Sequence, residues 1–195
     1  MTKIFRDYVE SPPSGLNEEE SRNWFREKAA DVQRLYAANV LRKKAVVNTP
    51  IMISGRCYFF RYDAKTKDVL PYYDMYPVIF PIKVTKTHFL GLNLHYLPIT
   101  FRAALMDNLY PYVTGEEAMS KVKMSYNILL NSSKLRFYKP CLKQYLNNHI
   151  RSKLVEVSVE EWELALFLPL QRFVGSTLSN VHRDSVRTIR SSQTR

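Results

Sequence analysis

The feature that most constrains the fold is a series of short runs rich in β-branched and aromatic residues between positions 45 and 97. Polar segments separate three such runs, at 50–62 (PIMISGRCYFFRY), 77–84 (PVIFPIKV) and 89–97 (FLGLNLHYL). Runs of this length and composition predict three to five antiparallel strands that form a small sheet or barrel. Because proline lacks the amide hydrogen that a strand ladder uses, Pro77 and Pro81 predict an edge position for their strand.

A helical pattern precedes this β unit. In residues 17–44, apolar side chains recur near the 3.6-residue period, Asn17 is placed as an N-cap, and basic residues cluster at the end. This pattern predicts one long N-terminal helix, with Trp24 as a candidate contact to another protein. Residues 1–16 contain the stretch SPPSG, which prolines keep from being helical, and they are predicted to form an extended arm.

The C-terminal half also shows mainly helical signals. Pro98 in a first turn predicts a helix over 98–110, and the amphipathic stretch 139–152 predicts another. Capping boxes open two further predicted helices, at Thr114 with Glu117 and at Ser158 with Glu161. Only 153–158 (KLVEVS) alternates as a strand does.

These patterns together predict an α+β fold with a long N-terminal helix, a small antiparallel sheet or barrel at about 45–97, and a helical C-terminal half. A chain of 195 residues is typical of one domain. We expect that domain to span 17–183, between the arm at 1–16 and a basic, flexible tail at 184–195.

The charge indicates a polyanion or an acidic protein surface as partner. The net charge is +11, from 29 Lys and Arg against 18 Asp and Glu, and the excess is spread along the chain rather than gathered in one block. No recognition helix or RNA-binding motif accompanies it. The candidate nucleic-acid contacts are basic residues near the strands and at the C-terminus: Lys65, Lys67, Lys83, Lys86, Arg183, Arg187 and Arg190.

The sequence lacks the motifs of the common enzyme and metal-site classes. With 5 glycines it contains no glycine-rich phosphate loop, and its 2 cysteines, Cys57 and Cys141, lie far apart. We therefore predict no catalytic residue, no metal ligand and no cofactor. No apolar run approaches the roughly 20 residues that span a bilayer, so no membrane partner is expected.

A constrained tyrosine loop lies between Pro71 and Pro77 (PYYDMYP). Tyrosine combines a large apolar face with a polar tip, which suits a surface that a partner covers. We therefore predict a protein interface at Tyr72, Tyr73, Asp74 and Tyr76. Two alternatives remain: the tyrosines close one end of a small barrel while Asp74 accepts turn hydrogen bonds, or they have a catalytic or base-stacking role.

Strand alternation predicts a small polar pair within the last β run. In the segment LNLHYLP, Leu92 and Leu94 take one face of the strand, while Asn93 and His95 take the other. A hydrogen-bonded pair is the simpler interpretation of Asn93 and His95, and a ligand or acid–base site is the alternative.

Two motifs carry a resemblance to a known group of proteins. Residues 70–74 (LPYYD) and 91–98 (GLNLHYLP) resemble small virion proteins encoded in the structural gene clusters of large contractile-tailed bacteriophages, and 139–146 and 160–169 are also similar. The resemblance implies a virion-associated protein of the tail, baseplate or neck, and it supplies no catalytic residues.

The leading functional hypothesis is accordingly a non-enzymatic tail or baseplate connector that binds other virion proteins in a symmetric assembly. It would be located in the virion, and in the host cytoplasm during assembly. The first alternative is a DNA-binding virion protein at the packaged DNA end or the tail channel. The second is a metal-dependent nuclease whose acidic cluster contains Asp63, Asp68 and Asp74 beside Lys65 and Lys67.

Overall fold

The computed structural model of the protein describes residues 52–53, 56–110, 138–152, 154–157, 159, 162, 166 and 171–191. The predicted arm at 1–16, the predicted N-terminal helix at 17–44 and Trp24 lie outside these residues, as do 192–195.

A five-stranded antiparallel sheet dominates the described residues. Its strands stand in the order β5-β4-β3-β1-β6. They are β1 (Cys57–Phe59), β3 (Val78–Val84), β4 (His88–Asn93), β5 (Leu142–Leu146) and β6 (Val155–Val157). Two short strands, β2 (Tyr73–Asp74) and β7 (Phe173–Val174), form a separate antiparallel pair. The strands predicted from residues 45–97 and 153–158 are therefore present.

The edge position predicted for the proline-containing strand is wrong, because β3 lies between β4 and β1. Within β3, the residues paired with β1 are Val78 and Ile79. Further along β3, the register of its pairing with β4 shifts between Pro81 and Lys83. The missing amide hydrogen of Pro81 therefore falls where the ladder is already irregular, which allows a proline inside a central strand.

Two α-helices and three short 3-10 helices have both ends among the described residues, and Trp162 and Leu166 are also helical. Helix α1 (Ile99–Leu109) begins after Pro98 and confirms the helix predicted over 98–110. Helix α2 (Leu178–Ser191) lies near the C-terminus. The 3-10 helices are Leu94–Tyr96, Lys139–Cys141 and Asn147–His149. No helix among the described residues is long and apolar enough to cross a membrane.

The predicted α+β class is wrong, because a five-stranded antiparallel sheet dominates the described part of the chain. The predicted helical C-terminal half fails most clearly at 139–152, where β5 joins two 3-10 helices. All five residues of β5 pair with β4, from Leu142 opposite Leu92 to Leu146 opposite His88. Backbone pairing with a neighbouring strand has overridden the local helical period.

The core has two layers, one on each face of the sheet. Neighbouring residues of β3 point to opposite faces, so Phe80 joins one cluster and Ile79 the other. The larger cluster contains residues of both helices, and its Phe80 ring lies 4.8 Å from the Trp162 ring. The smaller cluster is rich in aromatic rings: Tyr58, Phe60, Tyr62, Tyr73, Phe89 and Tyr145. Both faces of the sheet are thus covered.

Helix α2 corrects the prediction of a flexible tail from residue 184. Residues 184–191 belong to the helix, which buries Val181, Ser185 and Ile189 at helical spacing. Val181 and Ile189 belong to the larger core cluster, and the helix contacts the 3-10 helices at 94–96 and 139–141. Because these contacts fix the helix orientation, they also determine which of its side chains remain exposed.

Candidate functional site

Three exposed arginines lie along one side of α2, opposite its buried residues. Arg183, Arg187 and Arg190 are spaced by four and three residues, which places them on adjacent turns of one helix face. We call these three residues the arginine row. Arg183 donates from Nη2 to Oδ1 of Asn180 at 2.8 Å, which fixes the first guanidinium on the helix surface.

A broad, shallow cavity of about 610 Å³ runs beside the arginine row. Its lining among the described residues comes from α2: His182, Arg183, Val186, Arg187, Arg190 and Ser191. The helix carries one acidic residue, Asp184; burial and the nearby Asp184 carboxylate together raise the pKa of Tyr72. The row therefore presents a concentrated positive charge at the edge of an open concave surface.

The lysines that were predicted to contact nucleic acid lie in two segments that are far from α2 in the sequence. Lys65 and Lys67 are exposed on the turn after Tyr62, where Lys67 Nζ is 3.2 Å from Oδ1 of Asp63. Lys83 and Lys86 are exposed at the end of β3 and on the turn to β4. The structure brings the arginines together on one helix face, whereas the lysines lie in two separate segments of the chain.

A buried polar group lies below the 3-10 helix at 94–96. Asp74 Oδ2 is 2.7 Å from Nδ1 of His95 and accepts from Nδ2 of Asn93 at 3.0 Å. The same Asn93 amide donates to the Tyr145 hydroxyl at 3.0 Å. We call Asp74, Asn93, His95 and Tyr145 the Asp74 centre. Asn93 Oδ1 also accepts from the backbone N–H of His95 at 3.0 Å, so the two residues are joined directly and through Asp74, a partner that strand alternation alone does not identify.

The second oxygen of Asp74 stabilises the backbone around it. Oδ1 accepts from the backbone N–H of Tyr76 at 3.1 Å and from that of Arg172 at 3.3 Å. Asp74 is 2% exposed, so its charge has little access to solvent. Four hydrogen bonds to one buried carboxylate connect β2, β4, the tyrosine loop and the segment that leads into β7.

Two histidines connected to this centre have lowered pKa values. Burial lowers the pKa of His95, and the neighbouring Asp74 carboxylate opposes that shift without cancelling it. Burial also lowers the pKa of His182, which lies on α2. Nδ1 of His95 donates to Asp74, and among the described residues its Nε2 has no hydrogen-bond partner. His95 is therefore neutral at pH 7.

The four residues predicted as a protein interface differ in exposure. Tyr73 and Asp74 are buried, whereas Tyr72 and Tyr76 are half-buried. Tyr72 packs near the Tyr96 and Phe173 rings, at 6.0 and 6.1 Å, and Tyr76 stacks on Phe59 at 6.1 Å. The interface role stays a prediction, and little of Tyr73 or Asp74 is available to a partner.

A second cavity, of about 380 Å³, lies between the turn after Tyr62 and strand β5. Five tyrosines line it: Tyr62, Tyr72, Tyr73, Tyr96 and Tyr145. Lys65 and Lys143 also line it, and Lys143 Nζ lies 4.0 Å from the centroid of the Tyr96 ring. We call this space the tyrosine cavity.

Sequence reasoning missed Lys143 and Tyr145 because it placed them on a helix. As neighbours two apart in β5, they lie on one side of the strand. The period-two pattern of LKQYL, with Leu142, Gln144 and Leu146 on the other side, is the signal that indicates a strand. This strand pattern competes with a helical pattern of similar strength over residues 139–152.

The aspartates proposed for a nuclease do not form a metal site. The Asp74 carboxylate accepts hydrogen bonds within the buried Asp74 centre. The Asp63 carboxylate lies beside the side chains of Lys67 and Arg151. Among the described residues, no group of three or more His, Cys, Asp or Glu side chains is arranged to hold a metal ion. Burial raises the pKa of both thiols, Cys57 and Cys141, so neither is activated as a nucleophile or ligand.

Comparison with known proteins gives one match, which covers nearly the whole chain. Residues 2–187 match the family described as phage T4 terminal DNA protecting protein. No curated protein and no solved structure matches the chain significantly. The match confirms the bacteriophage part of the prediction and supports a virion protein, but it lends no support to a tail or baseplate position. The chain belongs to the family of the phage T4 terminal DNA protecting protein.

Proposed function

We propose that this protein binds the ends of linear phage DNA as a non-enzymatic component of the virion and shields them from nucleases. The family description names a protein that protects DNA termini, and the match spans residues 2–187. This proposal corresponds to the alternative reading of the sequence, a DNA-binding virion protein, rather than to a tail or baseplate connector.

The observation that carries the proposal is the arginine row. Arg183 to Arg190 spans seven residues of helix, or about 10 Å along the helix axis. One strand of B-DNA carries a phosphate about every 3.4 Å of axis, so a row of this length faces roughly three phosphates. Arginine binds phosphate oxygens through two parallel N–H donors, which fixes orientation as well as affinity.

The fold holds the row rigidly. One face of α2 is buried through Val181, Ser185 and Ile189, so the opposite face cannot rotate away from solvent. His182 Nε2 donates to the backbone carbonyl of His95 at 3.1 Å, which ties the helix to the Asp74 centre. A charge array on a packed helix loses less conformational entropy on binding than the same charges on a flexible tail.

Binding to DNA ends is tested by competition. A short labelled duplex is bound by the full chain at about 50 mM salt, and unlabelled plasmid is added either as closed circles or after linearisation by one cut. We expect linear plasmid to compete at concentrations of ends where circles of equal mass do not. Equal competition by the two forms would reduce the proposal to non-specific DNA binding.

Protection is tested separately with an exonuclease that degrades duplex DNA from its ends. The expected result is that added protein slows digestion of linear DNA in proportion to the ends occupied. The variant Arg183→Ala, Arg187→Ala, Arg190→Ala should lose that effect, while the protein alone should leave circular plasmid intact in Mg²⁺. Nicking of the circles would instead support the nuclease alternative.

A further inference from the structure

The tyrosine cavity has the size of a small-ligand site. Its volume is about 380 Å³, within the roughly 300–1,000 Å³ typical of such sites. Its aromatic walls are ordered by ring contacts, with Tyr62 and Tyr145 edge-to-face at 4.9 Å. Four of the five tyrosines are less than a tenth exposed, whereas Tyr72 is half-buried, so the Tyr72 ring is the wall most available to a ligand. Walls of this kind suit a flat, aromatic ligand.

The charged groups of the cavity that are available to a ligand are positive. Lys65 is exposed, and Lys143 is partly buried above the Tyr96 ring. No carboxylate among the described residues lies within salt-bridge distance of Lys143. Asp74 also lines the cavity, but its two oxygens already accept four hydrogen bonds. In the described part of the chain, a ligand therefore meets an ammonium group without a carboxylate partner and a carboxylate whose oxygens already accept four hydrogen bonds.

The outer edge of β5 adds a backbone donor and acceptor. Among the described strands, β5 stands at one end of the five-stranded sheet, next to β4. The backbone N–H of Leu146 donates to the Tyr62 hydroxyl at 3.1 Å, so it points away from β4. Gln144 lies two residues earlier in β5, so its backbone N–H and C=O also point away from β4. Gln144 lines the cavity. Its N–H and C=O match the paired donors and acceptors on the edge of a nucleobase.

The cavity and the arginine row meet at one side chain. Tyr72 lines the cavity and lies near the carboxylate of Asp184, the residue next to Arg183 on α2. Tyr72 is half-buried and packs near Tyr96. A DNA strand whose phosphates lie along the row therefore has its terminal nucleotide within reach of the cavity.

We propose that the tyrosine cavity binds one unpaired nucleotide at the end of the DNA, with its base against the Tyr72 ring and its phosphate against Lys143 and Lys65. This inference rests on the proposed function, because a single nucleotide is delivered to the cavity by the duplex bound at the arginine row. It assigns recognition of the end to a site distinct from the row, which binds phosphates along the duplex without regard to where the strand stops.

The experiment compares duplexes that differ only in one terminal nucleotide. A blunt labelled duplex is extended by one unpaired nucleotide, at either the 3′ or the 5′ end, and a matched set carries an abasic residue there. The abasic residue keeps the phosphate and removes the base. One base stacked on an aromatic side chain corresponds to roughly tenfold in affinity, so the intact extension should bind about tenfold more tightly than the abasic one at one polarity.

Two matched pairs of variants locate the effect. Tyr72→Leu removes a cavity wall, whereas Tyr76→Leu changes a half-buried tyrosine of the same loop that does not line the cavity. We expect the first to bring the ratio of intact to abasic affinity close to one and the second to preserve it. Lys143→Met keeps the aliphatic stem on Tyr96 and removes the charge, with the exposed Lys139→Met as control. Lys143→Met should weaken binding of the extended duplex several-fold more than Lys139→Met does.

The outcomes separate the two proposals. Binding of linear duplex with equal affinity for intact and abasic extensions would overturn the cavity inference and leave end binding in place. A preference for the intact base that a folded Tyr72→Leu variant retains would also overturn it. No binding of linear duplex at low salt would overturn both. Should Tyr72→Leu fail to fold, the lysine pair decides, because Lys143→Met leaves the packed rings unchanged.

Discussion

The imidazole of His182 donates a hydrogen bond from Nε2 to the backbone carbonyl of His95, at a distance of 3.1 Å. His95 belongs to the buried Asp74 centre, and His182 directly precedes Arg183 of the arginine row. One contact thus links the exposed charges of α2 to the hydrogen-bonded interior of the sheet. The link predicts that changes in the buried centre affect the row.

Replacing His182 by alanine should loosen α2 without unfolding the sheet. The lost hydrogen bond corresponds to about 1 kcal/mol, and the helix retains its buried residues Val181, Ser185 and Ile189. We expect faster amide hydrogen exchange in α2, unchanged exchange in β4, and weaker binding of duplex DNA. Ser179→Ala, at an exposed position in the first turn of α2, is the control. Unchanged exchange in α2 would mean that the His182 contact does not hold the helix.

Charge removal from the arginine row should change the salt dependence of DNA binding. Each phosphate contact adds about 0.9 to the slope of log affinity against log salt concentration. Arg183→Ala, Arg187→Ala, Arg190→Ala should therefore lower that slope by about 3, measured by fluorescence anisotropy between about 50 and 200 mM salt.

The control for this experiment removes the same charge elsewhere. Arg56, Arg61 and Arg151 are exposed and lie outside α2. Arg56 forms an ion pair with Glu156 at 2.9 Å, and exposed pairs of this kind add at most about 1 kcal/mol to stability. Changing these three arginines to alanine should preserve most of the slope. An equal fall in both variants would mean that net charge, not the row, governs binding.

Asp74→Asn should destabilise the fold severely. All four groups around the carboxylate are donors: two side-chain nitrogens and two backbone N–H groups. An amide places its own NH₂ against donors, and breaking a buried charged network costs about 3–5 kcal/mol. Urea unfolding measures the loss, with Asp68→Asn at an exposed turn position as control. A loss below about 1 kcal/mol would show that the centre contributes little to stability.

The lowered pKa of His95 predicts that stability falls in mild acid. Above the ordinary histidine pKa of 6.5, both the folded and the unfolded chain carry a neutral imidazole. Below it, the unfolded chain binds a proton that folded His95 does not, so the free energy of unfolding decreases by at most about 1.4 kcal/mol per pH unit for this group. The decrease continues until the pH reaches the lowered folded pKa.

Urea unfolding at pH 7.5 and at several values below 6.5 measures this dependence. His95→Asn keeps a donor near Asp74 and removes the titrating ring, so its stability should vary less with pH than that of the unsubstituted protein. The same substitution at His88, outside the Asp74 centre, is the control. An unchanged pH dependence in His95→Asn would assign the acid sensitivity to other groups, beginning with His182, whose pKa is lowered by the same cause.

The sequence predicted the strands between 45 and 97 because alternation and turn residues act locally there. It failed at β5, where residues compatible with either period were decided by pairing with β4. It also failed at Pro81, since the rule that places proline at edges applies to each residue rather than to a whole strand. Pro81 lies where the register between β3 and β4 shifts, so an irregular ladder accommodates the proline inside a central strand.

The candidate site was predictable only in parts. The arginines of the row were identified by charge, but assigning them to a flexible tail hid the helical spacing that aligns them. The partners of Asp74 come from residues 93, 95 and 172, and no local pattern relates them. The tyrosine cavity requires Tyr62 and Tyr145 to meet, across a separation that sequence periodicity does not address.

Gly175 offers a test of how closely β7 fits the tyrosine loop. Its φ of 88° lies in the left-handed region, and a Cβ there would stand 2.7 Å from the backbone oxygen of Pro71. Gly175→Ala should therefore cost about 1–3 kcal/mol and separate β7 from β2, which carries Asp74. Gly91→Ala is the matched control, because its Cβ would meet the flexible end of Ile79 at 3.2 Å. We expect a smaller loss there by urea unfolding. Equal losses would mean that the strained backbone at Gly175 relaxes without disturbing the loop.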